Sequence, residues 1–147
     1  MTVALAGQDL AAKIEEKFPG SVEATTADSL VVKADFLLDV MTWLKEDPAL
    51  KCDYFVFVTA VDYYLYFEVV YRLMSLEHNH SVTVKTRCHG RENPAVPSVA
   101  GLWQGANFQE REIYDLMGIT FTGHPGLKRM FLWEGFEGHP LRKDFQL

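Results

Sequence analysis

Apolar residues recur along the first half of the chain with two distinct periods, and each change of period marks a new element. Over residues 9–18, Leu10, Ile14 and Phe18 fall at i, i+4 and i+8. That is the stripe of a short amphipathic helix, which Pro19-Gly20 stops. Residues 22–26 and 30–34 predict two strands with Asp28-Ser29 at the turn between them. Asp35 is placed to cap a second helix, in which Leu37, Leu38, Met41 and Leu44 form one stripe and residues 45–48 end it.

The texture then changes. Residues 54–61 are aromatic, β-branched and apolar at odd and even positions alike. A strand of that kind is buried on both faces, so it is expected at the centre of its sheet. Leu65, Phe67, Val69, Tyr71 and Leu73 next alternate with Tyr66, Glu68, Val70, Arg72 and Met74. Val82, Val84, Thr86 and Cys88 alternate with Thr83, Lys85 and Arg87 in the same way. Period two with one partly polar face describes half-covered strands. Residues 75–81 would join them as a hairpin and set Glu68 and Arg72 against Lys85 or Arg87. Helices before and beside a largely consecutive run of strands predict an α+β fold, a mixed or antiparallel sheet flanked by helices.

From Glu92 onward loop signals dominate: Asn93-Pro94, Val96-Pro97-Ser98 and Gly101. A compact helix is predicted over residues 108–117, with Asn107 as its cap, Glu110 three positions on, and Gly118 as its stop. Residues 119–147 carry Pro125 and Pro140, four glycines and five aromatics, without a strong periodic element. So long an irregular segment is functional or a linker more often than not, and its aromatics argue against disorder. It is expected to be extended and to lie on a surface, another subunit being the foremost. The division expected is a sheet region, 1–107, and a helix-plus-tail region, 108–147, within one structural domain.

Composition narrows the setting. A chain of 147 residues with 48% hydrophobic positions fits one domain with its own core. Two cysteines are too few for a disulfide scaffold and suit a reduced compartment. The first residues do not read as a signal peptide. The longest nearly apolar run, 8 residues, falls short of the ~20 a membrane helix needs. A pI near 5.3 argues against nucleic-acid binding. Charge is uneven, however. Residues 1–80 hold 6 Lys/Arg against 13 Asp/Glu, a net of −7, and residues 81–147 hold 8 against 7, a net of +1. Such asymmetry marks either a solvated acidic face or different partners for the two halves.

The candidate chemistry lies in the second half. Glu110, Arg111, Glu112 and Asp115 crowd into six helical positions, beside Phe108, Ile113, Leu116 and Met117 on the apolar side. Arg111 and Asp115 can pair at i, i+4, worth ~0.2–0.5 kcal/mol if exposed. The helix is either an exposed face laced with ion pairs or a polar anchor whose carboxylates receive backbone N–H or arginine groups. An acid–base enzyme using Glu110, Glu112 and a histidine is a reading of another class, but no nucleophile motif, phosphate loop or metal-spaced cluster accompanies them. His78, His80, Cys88 and His89 lack the paired knuckles of a zinc module, and the histidines read as solvated loop positions. Gly123-His124-Pro125 and Gly138-His139-Pro140 repeat fifteen positions apart, followed by Lys128-Arg129 and Arg142-Lys143 respectively. Each imidazole either braces a rigid turn or faces a partner.

At these residues the sequence becomes recognisable. The run Gln109-Glu110-Arg111-Glu112-Ile113-Tyr114-Asp115-Leu116-Met117-Gly118, continuing through Gly123-His124-Pro125 to Arg129, resembles the signature of the 30 kDa subunit of respiratory complex I. Glu137-Gly138-His139-Pro140-Leu141-Arg142-Lys143-Asp144-Phe145 extends the match. Upstream, Thr59-Ala60-Val61-Asp62-Tyr63, Phe67-Glu68-Val69-Val70-Tyr71 and Val96-Pro97-Ser98 follow in the family's order. Gly126 stands where that family usually has an acidic residue, and Trp133-Glu134-Gly135-Phe136 where it has Pro-Glu-Asp-Trp. The resemblance implies a subunit with no catalytic, cofactor-binding or metal-binding residue of its own in a proton-translocating NADH–quinone oxidoreductase. It implies docking in the peripheral arm beside the hydrogenase-large-subunit-like quinone-site subunit and neighbouring iron–sulfur subunits. Those partners would hold the clusters and quinone, on the cytoplasmic face of the inner or plasma membrane, with membrane contact only through them. Equivalent subunits of energy-converting NiFe hydrogenases or deazaflavin-linked dehydrogenases are the alternative. Glu110, Arg111, Glu112 and Asp115 are expected to anchor the helix to the tail or to the partner. Tyr114, Gly118, Gly123, His124, Pro125, Lys128, Arg129, Gly138, His139, Pro140, Arg142, Lys143 and Asp144 complete the expected docking motif.

Overall fold

The computed structural model describes residues 2–146. In sequence order its elements are β1 (Val3–Ala4), α1 (Gly7–Lys17), β2 (Val22–Thr25), β3 (Leu30–Val32), α2 (Ala34–Glu46), β4 (Tyr54–Asp62), β5 (Tyr66–Ser75), β6 (His80–His89), β7 (Ala95–Pro97), α3 (Ala106–Met117) and β8 (Thr120–Thr122). The main sheet runs β2-β3-β6-β5-β4, with β1 also on β6. Pairings β2–β3, β5–β6 and β4–β5 are antiparallel, while β1 and β3 lie parallel to β6, so the sheet is mixed as expected for this α+β protein.

Register follows the alternation in sequence. Val58, Tyr71 and Val84 stand side by side across three strands, as do Asp62, Phe67 and Cys88. These inward positions meet Leu10 and Ile14 of α1, Leu37, Val40, Met41 and Leu44 of α2, and Ile113 and Met117 of α3 in one apolar cluster. On the other face Glu68 sits opposite Arg87, with contacts of 3.2 Å to Arg87 and 3.7 Å to Lys85. Arg72 instead lies over the Phe57 ring at 5.9 Å.

Local structure differs from the pattern at four places. β4 is an edge strand, not a central one: Tyr54 and Val56 are exposed, and among the described residues no strand pairs beyond it. α3 lies alongside, with the Gln109 side-chain oxygen accepting the Val58 N–H at 2.8 Å. α3 covers the inward parity, Val58 and Ala60, while Phe57 and Val61 of the other parity lie half-buried on the outer face, Phe57 beneath Arg72. Asp35 does not cap α2. The N-cap is Lys33, tied by its N–H to Ser21 O at 2.8 Å, and Asp35 acts only as a first-turn carboxylate near the helix dipole. Asn107 likewise lies inside α3, whose N-cap is Gly105 without a side-chain bond. Phe108, assigned to the apolar side, is 62% exposed under the Arg111 guanidinium.

The tail is more ordered than its sequence pattern. β8 pairs in parallel with β7, so β7, α3 and β8 form a small crossover unit. Ile119 and Phe121 are buried in the protein's own core. Gly118 ends α3 in the left-handed conformation at φ 73°, as expected.

Candidate functional site

Three buried carboxylates organise everything after residue 90, and each holds a different loop. Glu110 is fully buried on the inner side of α3. It accepts the Ser98 hydroxyl at 2.5 Å and the Val99 N–H at 2.9 Å, pinning the loop after β7 to the helix. Burial pushes its pKa above the usual carboxylate range, against the pull of those two bonds. The nearest imidazole, His124, lies 4.0 Å away. Its Nδ1 accepts the Gly126 N–H at 2.9 Å, so a neutral ring donates Nε2–H to the Asn107 carbonyl at 3.0 Å. His124 thus braces the first Gly-His-Pro turn, and the contact with Glu110 is proximity without an ion pair.

Asp115, one turn further along α3, is also fully buried. One of its oxygens accepts three consecutive backbone N–H groups, from Met130, Phe131 and Leu132, at 3.1, 2.7 and 3.1 Å. The other lies 3.5 Å from the Arg129 guanidinium. Burial works to raise the Asp115 pKa, but the three N–H bonds and Arg129 outweigh it and hold it low. Arg111 does not pair with Asp115 as i, i+4 spacing allows. It reaches outward to the carbonyls of Lys128 and Arg129 at 3.3 and 3.5 Å. The tail's first return is therefore gripped twice, by N–H groups on Asp115 and by carbonyls on Arg111.

The third carboxylate, Asp62, stands out in the sequence only by its place in a family block. It ends β4 at an inward register position, after Val58 and Ala60, and is 3% exposed. Arg91 grips it bidentately at 2.8 and 2.7 Å, and the N–H groups of Tyr64 and Lys143 add bonds of 2.8 and 2.9 Å. The Arg91 pairing holds its carboxyl far below the usual range. An acid at the third inward position of an apolar strand has to find a cation, and that is the signal from which the site could be found.

The second Gly-His-Pro turn closes on the same region. His139 Nδ1 bonds the Asp115 carbonyl at 3.0 Å, and burial lowers its pKa, so it too braces. Arg142 donates to the carbonyls of Met117, Arg91 and Gly118 at 2.6, 2.9 and 3.4 Å, capping α3 where its carbonyls have no helical partners. Arg91 and Arg142 each lie about 5 Å from the Phe67 ring. Gly118 is needed twice over: besides its backbone angle, a Cβ there would fall 2.6 Å from the His139 ring. Gly123 and Gly138 have positive φ as well. Arg129 bonds the Gly138 carbonyl at 2.9 Å, Asp144 meets Arg91 at 3.0 Å, and Lys143 lies over Tyr64. Tyr114 packs against the core, half-buried, and Pro125 and Pro140 follow His124 and His139, which tie their turns to the Asn107 and Asp115 carbonyls of α3. Lys128 and Glu112 are exposed.

The remaining candidates are placed elsewhere. His78 and His80 stack on each other and bond the carbonyls of Pro48 and Leu50 at 2.7 and 2.8 Å, so they fasten the α2–β4 connection. Cys52 and Cys88 are buried free thiols, their pKa values pushed up to about 12 by burial. Among the described residues no group of three or more His, Cys, Asp or Glu is arranged to hold a metal ion, and no helix is long and apolar enough to cross a membrane. Exposed Phe131, Trp133 and Leu141 face outward from the pinned tail.

This fold and signature are found in known proteins. The family described as "Respiratory-chain NADH dehydrogenase, 30 Kd subunit" matches residues 30–147. An NADH-quinone oxidoreductase subunit of Azorhizobium caulinodans is 46% identical over 147 residues, covering 95% of this chain and 69% of that protein. The NADH-quinone oxidoreductase subunit of the same type from a Roseiflexus species is 41% identical over 141 residues, covering 94% and 80%. A protein in the structure of the membrane-bound sulfane sulfur reductase, an archaeal respiratory membrane complex, is similar with a TM-score of 0.75 and 26% identity, covering 95% of this chain and 85% of that one. The chain belongs to the family of the 30 kDa subunit of respiratory-chain NADH dehydrogenase. It is accordingly a subunit of an NADH–quinone oxidoreductase-type complex, an oxidoreductase.

Proposed function

We propose that this protein is a structural subunit of the peripheral arm, without chemistry of its own, and that it docks beside the quinone-site subunit through the outer side of its tail. One observation carries the reading. Glu110, Asp115 and Asp62 bind the protein's own loops and His124 and His139 bind its backbone, so of the residues that could have served acid–base catalysis only Glu112 is left unengaged, and the rest go into shaping a surface. Phe108 on α3 and Phe131, Trp133 and Leu141 on the tail are exposed, as is Lys128, apolar side chains and charge of the kind a protein interface uses. Electron carriers, clusters and quinone belong to the neighbours, and so does membrane contact. The side placed toward the cytoplasm follows from the same reading.

The expected wrapping of a partner takes a particular form here. The tail's backbone is already committed to α3 and β4, so it meets the partner as a preformed face. The test is affinity isolation of the tagged protein from its host under gentle detergent, with identification of the co-purifying subunits. Arg111→Ala should lower the yield of complex while leaving turnover per assembled complex unchanged. Normal assembly with slowed turnover, or recovery of the protein alone, would overturn the proposal. A second reading, an equivalent subunit in a complex with a different electron donor, is favoured by the likeness to a sulfane sulfur reductase component. The same isolation separates the two by whether NADH-oxidising subunits accompany it.

A further inference from the structure

Glu112 is the carboxylate of the α3 motif that the protein itself does not use. Glu110 and Asp115 point inward, whereas Glu112 is exposed and makes no hydrogen bond or ion pair among the described residues. It stands at one side of a cleft of about 200 Å³ between α3 and the free edge of β4. Val58, Ala60, Ile113, Leu116, Met117 and Leu141 give that cleft an apolar floor, with Thr59, Gln109 and Glu112 as its polar residues.

The edge itself is open. Val58 turns its N–H away from β5, since Gln109 accepts it. Groups on an antiparallel strand alternate in direction, so Ala60, two residues on, aims its N–H and C=O the same way. Among the described residues no side-chain or loop bond occupies them. An uncovered edge rung next to an apolar cleft is the arrangement that accepts an added strand.

We infer that this edge receives an extended segment of a neighbouring protein subunit, paired through its backbone at Ala60 and carrying a lysine or arginine that meets Glu112. Charge selects the occupant. The cleft contains one unmatched carboxylate and no cation, so a basic segment gains an ion pair and an acidic one is repelled. A second copy of this protein fits less well, because the lining brings no cation to match either Glu112. The cleft also runs into the proposed docking face, since Leu141 lines it while its N–H bonds the Leu116 carbonyl at 2.9 Å. The inference rests on the reading of the protein as a complex subunit.

Hydrogen exchange of the purified complex against the isolated protein tests it, with Glu112→Lys as the variant. The Ala60 amide should exchange at least about tenfold more slowly in the complex, the change one added backbone bond produces. Glu112→Lys should leave the thermal midpoint of the isolated protein unchanged and cut the share recovered in complex severalfold. Equal exchange in an intact complex would sink the edge pairing while the subunit reading stands. Normal assembly of Glu112→Lys would sink the charge contact. Concentration-dependent protection of the isolated protein would point to self-pairing and overturn the proposed occupant. Recovery of the wild-type protein without any other subunit would remove the subunit reading and this inference together.

Discussion

The layer formed by α1, α2 and the main sheet and the segment after residue 122 are held by opposite means. In the first, Ile14, Leu37, Val40, Met41, Leu44, Phe67 and Tyr71 are fully enclosed, and burial of their apolar area is the main attraction. In the second, long side chains lie outside, Phe131 at 63% and Trp133 at 69% exposed, and the path is set by Asp115, Asp62, Arg91 and Arg142. Apolar packing is non-directional and spread over many contacts, whereas a buried carboxylate dictates which N–H goes where. One region is built for cohesion and the other for a defined outer shape.

The difference can be broken from either side. The largest effect is expected from Leu37→Ala, which empties a fully enclosed position and should cost about 2–5 kcal/mol in urea unfolding, with all probes moving together. Next comes Asp115→Ala, which leaves three N–H groups without an acceptor, at about 1–3 kcal/mol. Its signature is regional: amides of residues 130–132 should lose exchange protection while those of β5 and β6 keep theirs. Parallel loss in the sheet would show that the two regions are one cooperative unit.

Acid should sharpen the same contrast. Asp115 and Asp62 have folded pKa values held below their unfolded ones, so the stability they add is present above pH ~4 and fades as pH falls through the folded values. Glu110 is shifted the other way, and its burial penalty is relieved as pH falls through its raised value. On acidification the tail amides near residues 131 and 143 should therefore open before the loop at Val99, as read by hydrogen exchange or by NMR. Simultaneous opening would contradict the opposed shifts. The smallest effect is expected from Glu112→Gln in the isolated protein, within about 0.5 kcal/mol of wild type, because this exposed carboxylate holds nothing there.

Legibility in sequence follows the same divide. The three helices, the β5–β6 hairpin and the Gly118 stop are readable because period, Pro-Gly breaks and a C-terminal glycine act locally. β4 is misplaced by its pattern because Phe57 and Val61 look like the second buried face of a central strand, whereas they lie half-buried on the outer face of an edge strand, Phe57 beneath Arg72. The caps mislead for a related reason: Lys33 follows β3 directly and donates its N–H to the Ser21 carbonyl, a partner that only the sheet brings near. The clamps are half legible. The crowding of Glu110, Arg111 and Asp115 announces an anchor, yet their partners at Ser98, Val99 and residues 128–132 are largely backbone groups, which have no signature. Asp62 and Arg91 lie 29 positions apart and meet only after folding.

The order of the strands along the sequence also sets a clock. Every strand of the main sheet precedes residue 90, while Lys143, which completes the shell of Asp62, arrives more than fifty residues later. At ~5–20 residues per second of synthesis, the sheet waits roughly 3–10 s for α3 and the tail. Through that interval the inward face around Phe67 and Tyr71 lacks its α3 cover, so the nascent protein is exposed to misassociation during manufacture more than at any time afterwards. A released fragment of residues 1–100 should accordingly be cut by protease within β4 and β5, and the full-length protein should resist there.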